Sequence, residues 1–267
     1  MVDKSEKFRW LVRLGFAARG IVYLLLGYIA LGTGGEAKGG QAAVFDYIQE
    51  VPFGTPLLWI MALGLLGYAA FKFLSAAADI QHRGSDTTGI LQRVGDAASG
   101  IAHTFFAYAC YQFATGAQHS ASGVSGGQEM AGSVLSMELG SLVIGALGLG
   151  FLVAGFMQGK KAWTAEFMRW ISGGAPSGVR TAGRIGHGAR AVVFAVIGWS
   201  MVQGAWFAQE SGIKGLGEAI LSLRDTGGLY TLVAVGLMVF GAFSLVLARY
   251  RIIPDLGPRG LRPKFRA

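Results

Sequence analysis

Three stretches of this chain open in the same way. Arg13-Leu14-Gly15-Phe16-Ala17-Ala18-Arg19-Gly20 aligns with Arg93-Val94-Gly95-Asp96-Ala97-Ala98-Ser99-Gly100 and with Arg184-Ile185-Gly186-His187-Gly188-Ala189-Arg190-Ala191, keeping Arg, Gly and small residues in register. The later halves align at a constant spacing of 86 residues, which relates Gly64, Gly150 and Gly236, and also Gly40, Gly126 and Gly212. A repeat of this kind limits the fold to copies of one supersecondary unit, because each copy must present equivalent surfaces to its neighbours.

Every copy holds two apolar stretches of membrane-spanning length. A bilayer core takes about 20 apolar residues in a helix, and the segments 13–33, 57–78, 97–116, 134–157, 189–208 and 229–249 meet that length. All six prolines lie outside them, where a missing N–H costs no helical hydrogen bond. Only 14% of residues are charged and 52% are hydrophobic, whereas a water-exposed domain carries about 25% charge. The 43 glycines suit close helix contacts in lipid rather than flexible loops. One cysteine, Cys110, excludes an intrachain disulfide and a cysteine-based zinc site, and the chain has no Asn and so no N-glycosylation sequon.

The net charge of +8 is distributed by connection. The N-terminus, the second and fourth connections and the C-terminal tail hold 17 Lys and Arg, against 3 in the first, third and fifth connections. Basic connections stay in the cytoplasm, so both termini are expected there, in a bacterial inner membrane. This distribution also argues against nucleic acid as the partner of the positive charge. An even number of spans per copy gives all three copies one orientation, and hence a pseudo-threefold axis along the membrane normal. The expected architecture is an all-α, six-helix membrane bundle of three parallel two-helix repeats, at about 8–83, 88–165 and 179–252. A basic, Pro/Gly-rich tail at 253–267 is expected to be disordered and drawn to anionic lipid. In the outer connections Gln41–Ile48, and more weakly Gln128–Leu139 and Gly217–Leu223, show helical spacing and read as short interfacial helices or as irregular loops.

The Arg-x-Gly-x-x-Ala-Arg-Gly opening with Val22-Tyr23-Leu24 behind it, Pro52-Phe53-Gly54 before the second span and the exit Ala248-Arg249-Tyr250-Arg251 resemble the bacterial domain of unknown function 1206 family over nearly the whole chain. The resemblance implies six membrane helices in three two-helix repeats. It implies no activity, substrate or catalytic residue. The opening motif changes in the second copy, with Ser99 in place of Arg, and in the third, with Ala191 in place of Gly.

Steps of four along the first helix of each copy give Gly15, Arg19, Tyr23 and Gly27; Gly95, Ser99, His103 and Ala107; Gly186, Arg190, Phe194 and Gly198. Residues four apart share a face, so each stripe sets a polar or aromatic pair between small residues. The small residues Gly15, Gly27, Gly64, Gly95, Gly150, Gly186, Gly198 and Gly236 are read as helix-packing positions. The second helices align Lys72, Gln158 and Ser244. Arg19, Lys72, Ser99, Gln158, Arg190 and Ser244 then form one layer in the inner leaflet, with His103 a turn further in. Such a layer carries three positive charges and no obvious carboxylate, and would attract a small anionic or amphiphilic ligand. The alternative is that the long basic side chains snorkel to the interface and serve topogenesis. Asp96 and Asp79 are expected to pair with nearby Arg93 and Arg83 at the cytoplasmic edge.

His103 is a lone imidazole, His187 stands at the entry of the fifth span and His82 and His119 in connections, and no pair shares a depth and a face, so neither a haem nor a metal is expected. Ser99 lacks a His–Asp partner set, and no HExxH, Walker loop or paired carboxylates occur. Gly145-Ala146-Leu147-Gly148-Leu149-Gly150 imitates a nucleotide fingerprint but lies inside an apolar span. No enzyme and no cofactor are expected. Two functions remain: binding or permeation of a small anionic or amphiphilic solute, or a non-catalytic structural or regulatory membrane component that binds lipid or a partner protein.

Overall fold

The computed structural model describes residues 4–33, 40–81, 83–117, 132–209, 212–253, 255–256 and 263–264. Six long helices dominate them: α1 (Lys4–Thr33), α3 (Gly54–Ala77), α4 (Thr87–Ala114), α5 (Gly140–Thr164), α6 (Val179–Phe207) and α8 (Gly228–Tyr250). Two short helices, α2 (Gln41–Glu50) and α7 (Leu216–Leu221), precede α3 and α8, and residues 132–135 are helical ahead of α5. The fold is all-helical apart from an antiparallel ladder of two residues per strand, β1 (Asp255–Leu256) with β2 (Pro263–Lys264), and an isolated bridge between Ile171 and Arg251. In the tail expected to be disordered, Ile253 is buried and this ladder forms; 254, 257–262 and 265–267 lie outside the described residues.

Five of the described helices carry segments long and apolar enough to cross a membrane: Glu6–Gly32, Gly54–Ala77, Gly140–Thr164, Val179–Phe207 and Gly228–Tyr250. The segment expected at 97–116 lies on α4, a 28-residue helix outside that set. Its composition explains why: His103, Tyr108, Tyr111 and Gln112 dilute the apolar residues around them.

Each long helix packs along the next in the order α5, α6, α8, α1, α3, α4. Backbones approach closely where glycine removes the side chain. A Cβ on Gly15 would lie 2.5 Å from the Gly64 carbonyl oxygen, one on Gly27 2.5 Å from that of Ala234, and one on Gly198 2.7 Å from that of Gly148. Gly64, Gly186 and Gly236 are equally tight against Leu14, Phe240 and Ala189. Gly95 and Gly150, expected to pack in the same way, do not: a Cβ on either meets nothing within 4 Å. The reason is that α4 and α5, unlike α1 with α3 or α6 with α8, do not pack along each other.

The repeated Arg of the opening motif has one structural task in all three copies. Arg13 Nη1 donates to the Ala248 carbonyl at 2.8 Å, Arg93 Nε to Ala76 at 2.8 Å and Arg184 Nε to Ala162 at 2.8 Å. The three acceptors are themselves 86 residues apart and lie near the C-termini of α8, α3 and α5. Each guanidinium satisfies carbonyls that the last helical turn leaves without partners, at the negative end of the helix dipole.

The short helix α2 is not laid on a headgroup surface as expected. Ala42, Ala43, Val44, Phe45 and Ile48 are buried, and α2 packs on α1, α3 and α4. Its chain turns tightly into α3: a Cβ on Gly54 would lie 1.7 Å from the Ile48 carbonyl oxygen, so only glycine fits. Gly140, 86 residues on, makes the same approach to Val134. Of the weaker copies, Gly217–Leu223 contains α7, whereas 128–131 lie outside the described residues.

Candidate functional site

The residues expected in one layer do come together, on the side of the bundle that holds the α3–α4 connection. Arg19 is buried, with Nη1 donating to the Tyr68 hydroxyl at 2.5 Å and Nη2 to Ser244 Oγ at 3.1 Å. Its guanidinium lies 4.9 Å from the Phe16 ring centre, 4.9 Å from Tyr68 and 5.1 Å from Phe240. Arg190 shares the Phe240 ring, at 4.7 Å, and also sits over Tyr23 and Phe194 at 5.3 and 4.8 Å. Of the two sequence readings for these arginines, snorkelling does not describe the arrangement: both head groups sit inward over aromatic faces, where a desolvated cation gains about 2 kcal/mol per good contact.

Lys72 is not left as a free charge. Its Nζ donates to Asp96 Oδ1 at 2.7 Å, and Arg83 approaches Asp96 Oδ2 at 2.9 Å. By sequence the layer has no obvious carboxylate and Asp96 pairs with nearby Arg93. The fold overturns both points: Asp96 is 4% exposed and belongs to the layer, while Arg93 turns away to cap α3. Helical proximity made Arg93 look like the partner, but the α3–α4 packing brings Lys72 across instead. Asp79 accepts from the backbone N–H groups of Arg83 and Gly84, at 2.8 and 3.0 Å.

The remaining candidates are held in pairs. Gln158 Oε1 accepts from His187 Nδ1 at 2.5 Å, and His103 Nδ1 donates to the Ser99 carbonyl at 2.7 Å with its ring 4.5 Å from Tyr68. Ser244 also donates to the Phe240 carbonyl at 2.9 Å. No group of three or more His, Cys, Asp or Glu among the described residues is placed to hold a metal ion.

Several members of the site had no repeat signal to reveal them. Arg251 folds back from the end of α8, with Nη2 donating to Gln81 Oε1 at 3.0 Å and its guanidinium over Phe16 and Phe71 at 5.2 and 5.7 Å. Burial pushes Arg251 down to about 10, so it remains a cation at neutral pH. Gln81 Nε2 in turn donates to Ser75 Oγ at 2.8 Å. Lys161 lies within electrostatic reach of Lys72, Arg83, Asp96 and Arg190. Tyr68 does carry a repeat signal: the 86-residue spacing sets another ring, Phe240, at its position in the third repeat.

Two spaces adjoin the layer. A cavity of about 320 Å³ opens beside it, lined by Gln81, Arg83, Asp86, Gln92, Arg169 and Trp170 among others. A second, of about 10 Å³, lies among α1, α2, α3 and α4, against Arg19, Tyr23, Leu65, His103 and Phe106. That inner space is the size of a single water molecule.

The family profile of the Domain of Unknown Function (DUF1206) matches this sequence three times, at 14–79, 94–165 and 185–251. The chain belongs to that family. The three matched segments begin and end in the register of the internal repeat, and each contains two of the long helices. The uncharacterized protein YxxB of Bacillus subtilis (strain 168) is 28% identical over 262 residues, covering 93% of this chain and 94% of that protein. No solved structure matches the chain. The family and this relative bring no activity. What does stand is a helical protein with several apolar spans and three internal repeats.

Proposed function

We propose that the protein is a six-span component of a bacterial inner membrane, with both termini in the cytoplasm, that binds the anionic group of a membrane amphiphile in its buried cationic layer. On this reading α4 is the sixth span. At about 1.5 Å per residue it is long enough to cross a core of about 30 Å. The three hairpins encircle an axis along the membrane normal. This arrangement is supported by the order of helix neighbours and by the three equivalent Arg caps, each reaching the preceding repeat in cyclic order.

The observation that carries the binding reading is charge imbalance. Asp96 is the only buried acid among the described residues, and it is already shared by Lys72 and Arg83. Arg19, Arg190, Arg251 and Lys161 gather about the same layer without a carboxylate of their own in salt-bridge range among the described residues. Nε of Arg190 is buried with no hydrogen-bond partner. Arg19 is buried and Arg190, Arg251 and Lys161 are partly buried; cations withdrawn from water without anions are costly, and an anionic headgroup from the adjoining leaflet supplies the missing charge. The role is non-catalytic, since the polar groups are arranged as mutual partners and supports rather than as a nucleophile with its base.

The test is lipid retention. Native mass spectrometry of the purified chain, offered phosphatidylglycerol and phosphatidylcholine in equal amounts, is expected to show preferential retention of phosphatidylglycerol that weakens in Arg83→Gln and Arg190→Gln. Equal retention of the two lipids, unchanged in both variants, would contradict the reading.

A further inference from the structure

The three repeats are built alike but only two are closed. In the first, α1 and α3 interlock through Gly15 and Gly64, and above that contact Arg19 lies over Tyr68. In the third, α6 and α8 interlock through Gly186 and Gly236, and Arg190 lies over Phe240. Both closures use a guanidinium from the first helix clasped on an aromatic ring from the second. The equivalent positions of the second repeat are Ser99 and Ala154. Neither clasp partner is present, α4 and α5 do not pack along each other, and Gly95 and Gly150 face open space.

The end of this seam nearest the cationic layer carries an unmatched charge. Lys161 occupies the position held by Ser75 in the first repeat and Leu247 in the third, both buried. It forms no ion pair among the described residues, and the nearby Asp96 is already occupied by Lys72 and Arg83. From Gly150 to Lys161 is roughly 16 Å along the helix. This is about half the thickness of a bilayer core, so an acyl chain whose headgroup sits at Lys161 would run past Gly150.

We infer that the α4–α5 seam is a lateral slot for one acyl chain of an anionic phospholipid, with its phosphate held at Lys161. This rests on the reading of the layer as a headgroup site and adds where the lipid lies. A cation at the inner end of this seam selects an amphiphile with a negative head; a second apolar helix would leave Lys161 without a counter-charge.

The experiment fills the slot and leaves the cationic layer intact. Ala154→Phe restores the ring found in the other repeats, and Gly150→Leu adds bulk where nothing lies within 4 Å of a Cβ, so both variants should fold with unchanged circular dichroism. The readout is phosphatidylglycerol retained by the purified chain in native mass spectrometry, with phosphatidylcholine as the competitor. The slot predicts loss of retained phosphatidylglycerol in both filled variants, and loss of the preference for it in Lys161→Gln. Undiminished retention in both filled variants overturns the slot while the headgroup reading stands. A wild-type chain with no preference for phosphatidylglycerol removes the headgroup reading and the slot with it. A wild-type dimer that the filled variants break apart, with lipid retention unaffected, assigns the seam to a second copy of the chain and overturns the proposal.

Discussion

Substituting alanine at the three glycines spaced 86 residues apart separates the closed repeats from the open one. In Gly64→Ala the new methyl would sit 2.9 Å from the Leu14 carbonyl oxygen and 3.1 Å from its carbonyl carbon; in Gly236→Ala it would sit 2.5 Å from Ala189 Cβ. These neighbours are backbone or short side chain and cannot swing aside, so the helices must separate, at the usual overpacking cost of about 1–3 kcal/mol. In Gly150→Ala nothing lies within 4 Å, and the helix gains about 1 kcal/mol from the better residue. That gain is common to all three helix-interior positions and cancels, so the expected gap between Gly150→Ala and the other two is about 1–3 kcal/mol. Equilibrium unfolding in mixed micelles, followed by tryptophan fluorescence and circular dichroism, measures it. Equal destabilisation by all three substitutions would refute the reasoning, because it would mean that α4 and α5 are as tightly joined as the other pairs.

Three further outcomes follow from the same structure. Asp96→Asn should destabilise the protein by about 3–5 kcal/mol, the range for breaking a buried ion pair, and the added change Lys72→Met should recover part of the loss; an unfolding curve indistinguishable from wild type would remove Asp96 from the centre of the layer. Arg13→Gln, Arg93→Gln and Arg184→Gln should each cost about 1–2 kcal/mol by uncapping equivalent helix ends; a set in which one variant matters greatly and the others not at all would break the equivalence of the repeats. A cysteine at Ala267, in a Cys110→Ala background, should resist a membrane-impermeant maleimide in spheroplasts and react after permeabilisation; labelling in intact spheroplasts would reverse the orientation.

Much of this architecture could be read from the sequence because it repeats. Register, helix number and the small-residue contacts at Gly15, Gly27, Gly64, Gly186, Gly198 and Gly236 all follow from periodicity that local residues carry. What periodicity hides is the departure from it. Gly95 and Gly150 look like their counterparts, and the open seam is written in Ser99 and Ala154, which lack the guanidinium and the ring that close the other two repeats. The same limit applies to Asp96. It sits where the other repeats carry Phe16 and His187, and sequence neighbours pointed to Arg93, whereas its partners come from α3 and the connection after it. Arg251 lies beyond the last span, where nothing in the sequence signals that the chain turns back to lay it over Phe16 and Phe71. The burial of α2 is not legible in its amphipathic spacing, since that spacing fits a membrane surface and a seat against α1, α3 and α4 equally well.

The most direct measurement is an experimental structure of the chain in nanodiscs containing phosphatidylglycerol. The account predicts three similar hairpins in cyclic order, with lipid phosphate density beside Lys161 and chain density running past Ala154 and Gly150 between α4 and α5. Helices α4 and α5 closed on each other through Gly95 and Gly150, with no lipid at the cationic layer, would contradict it.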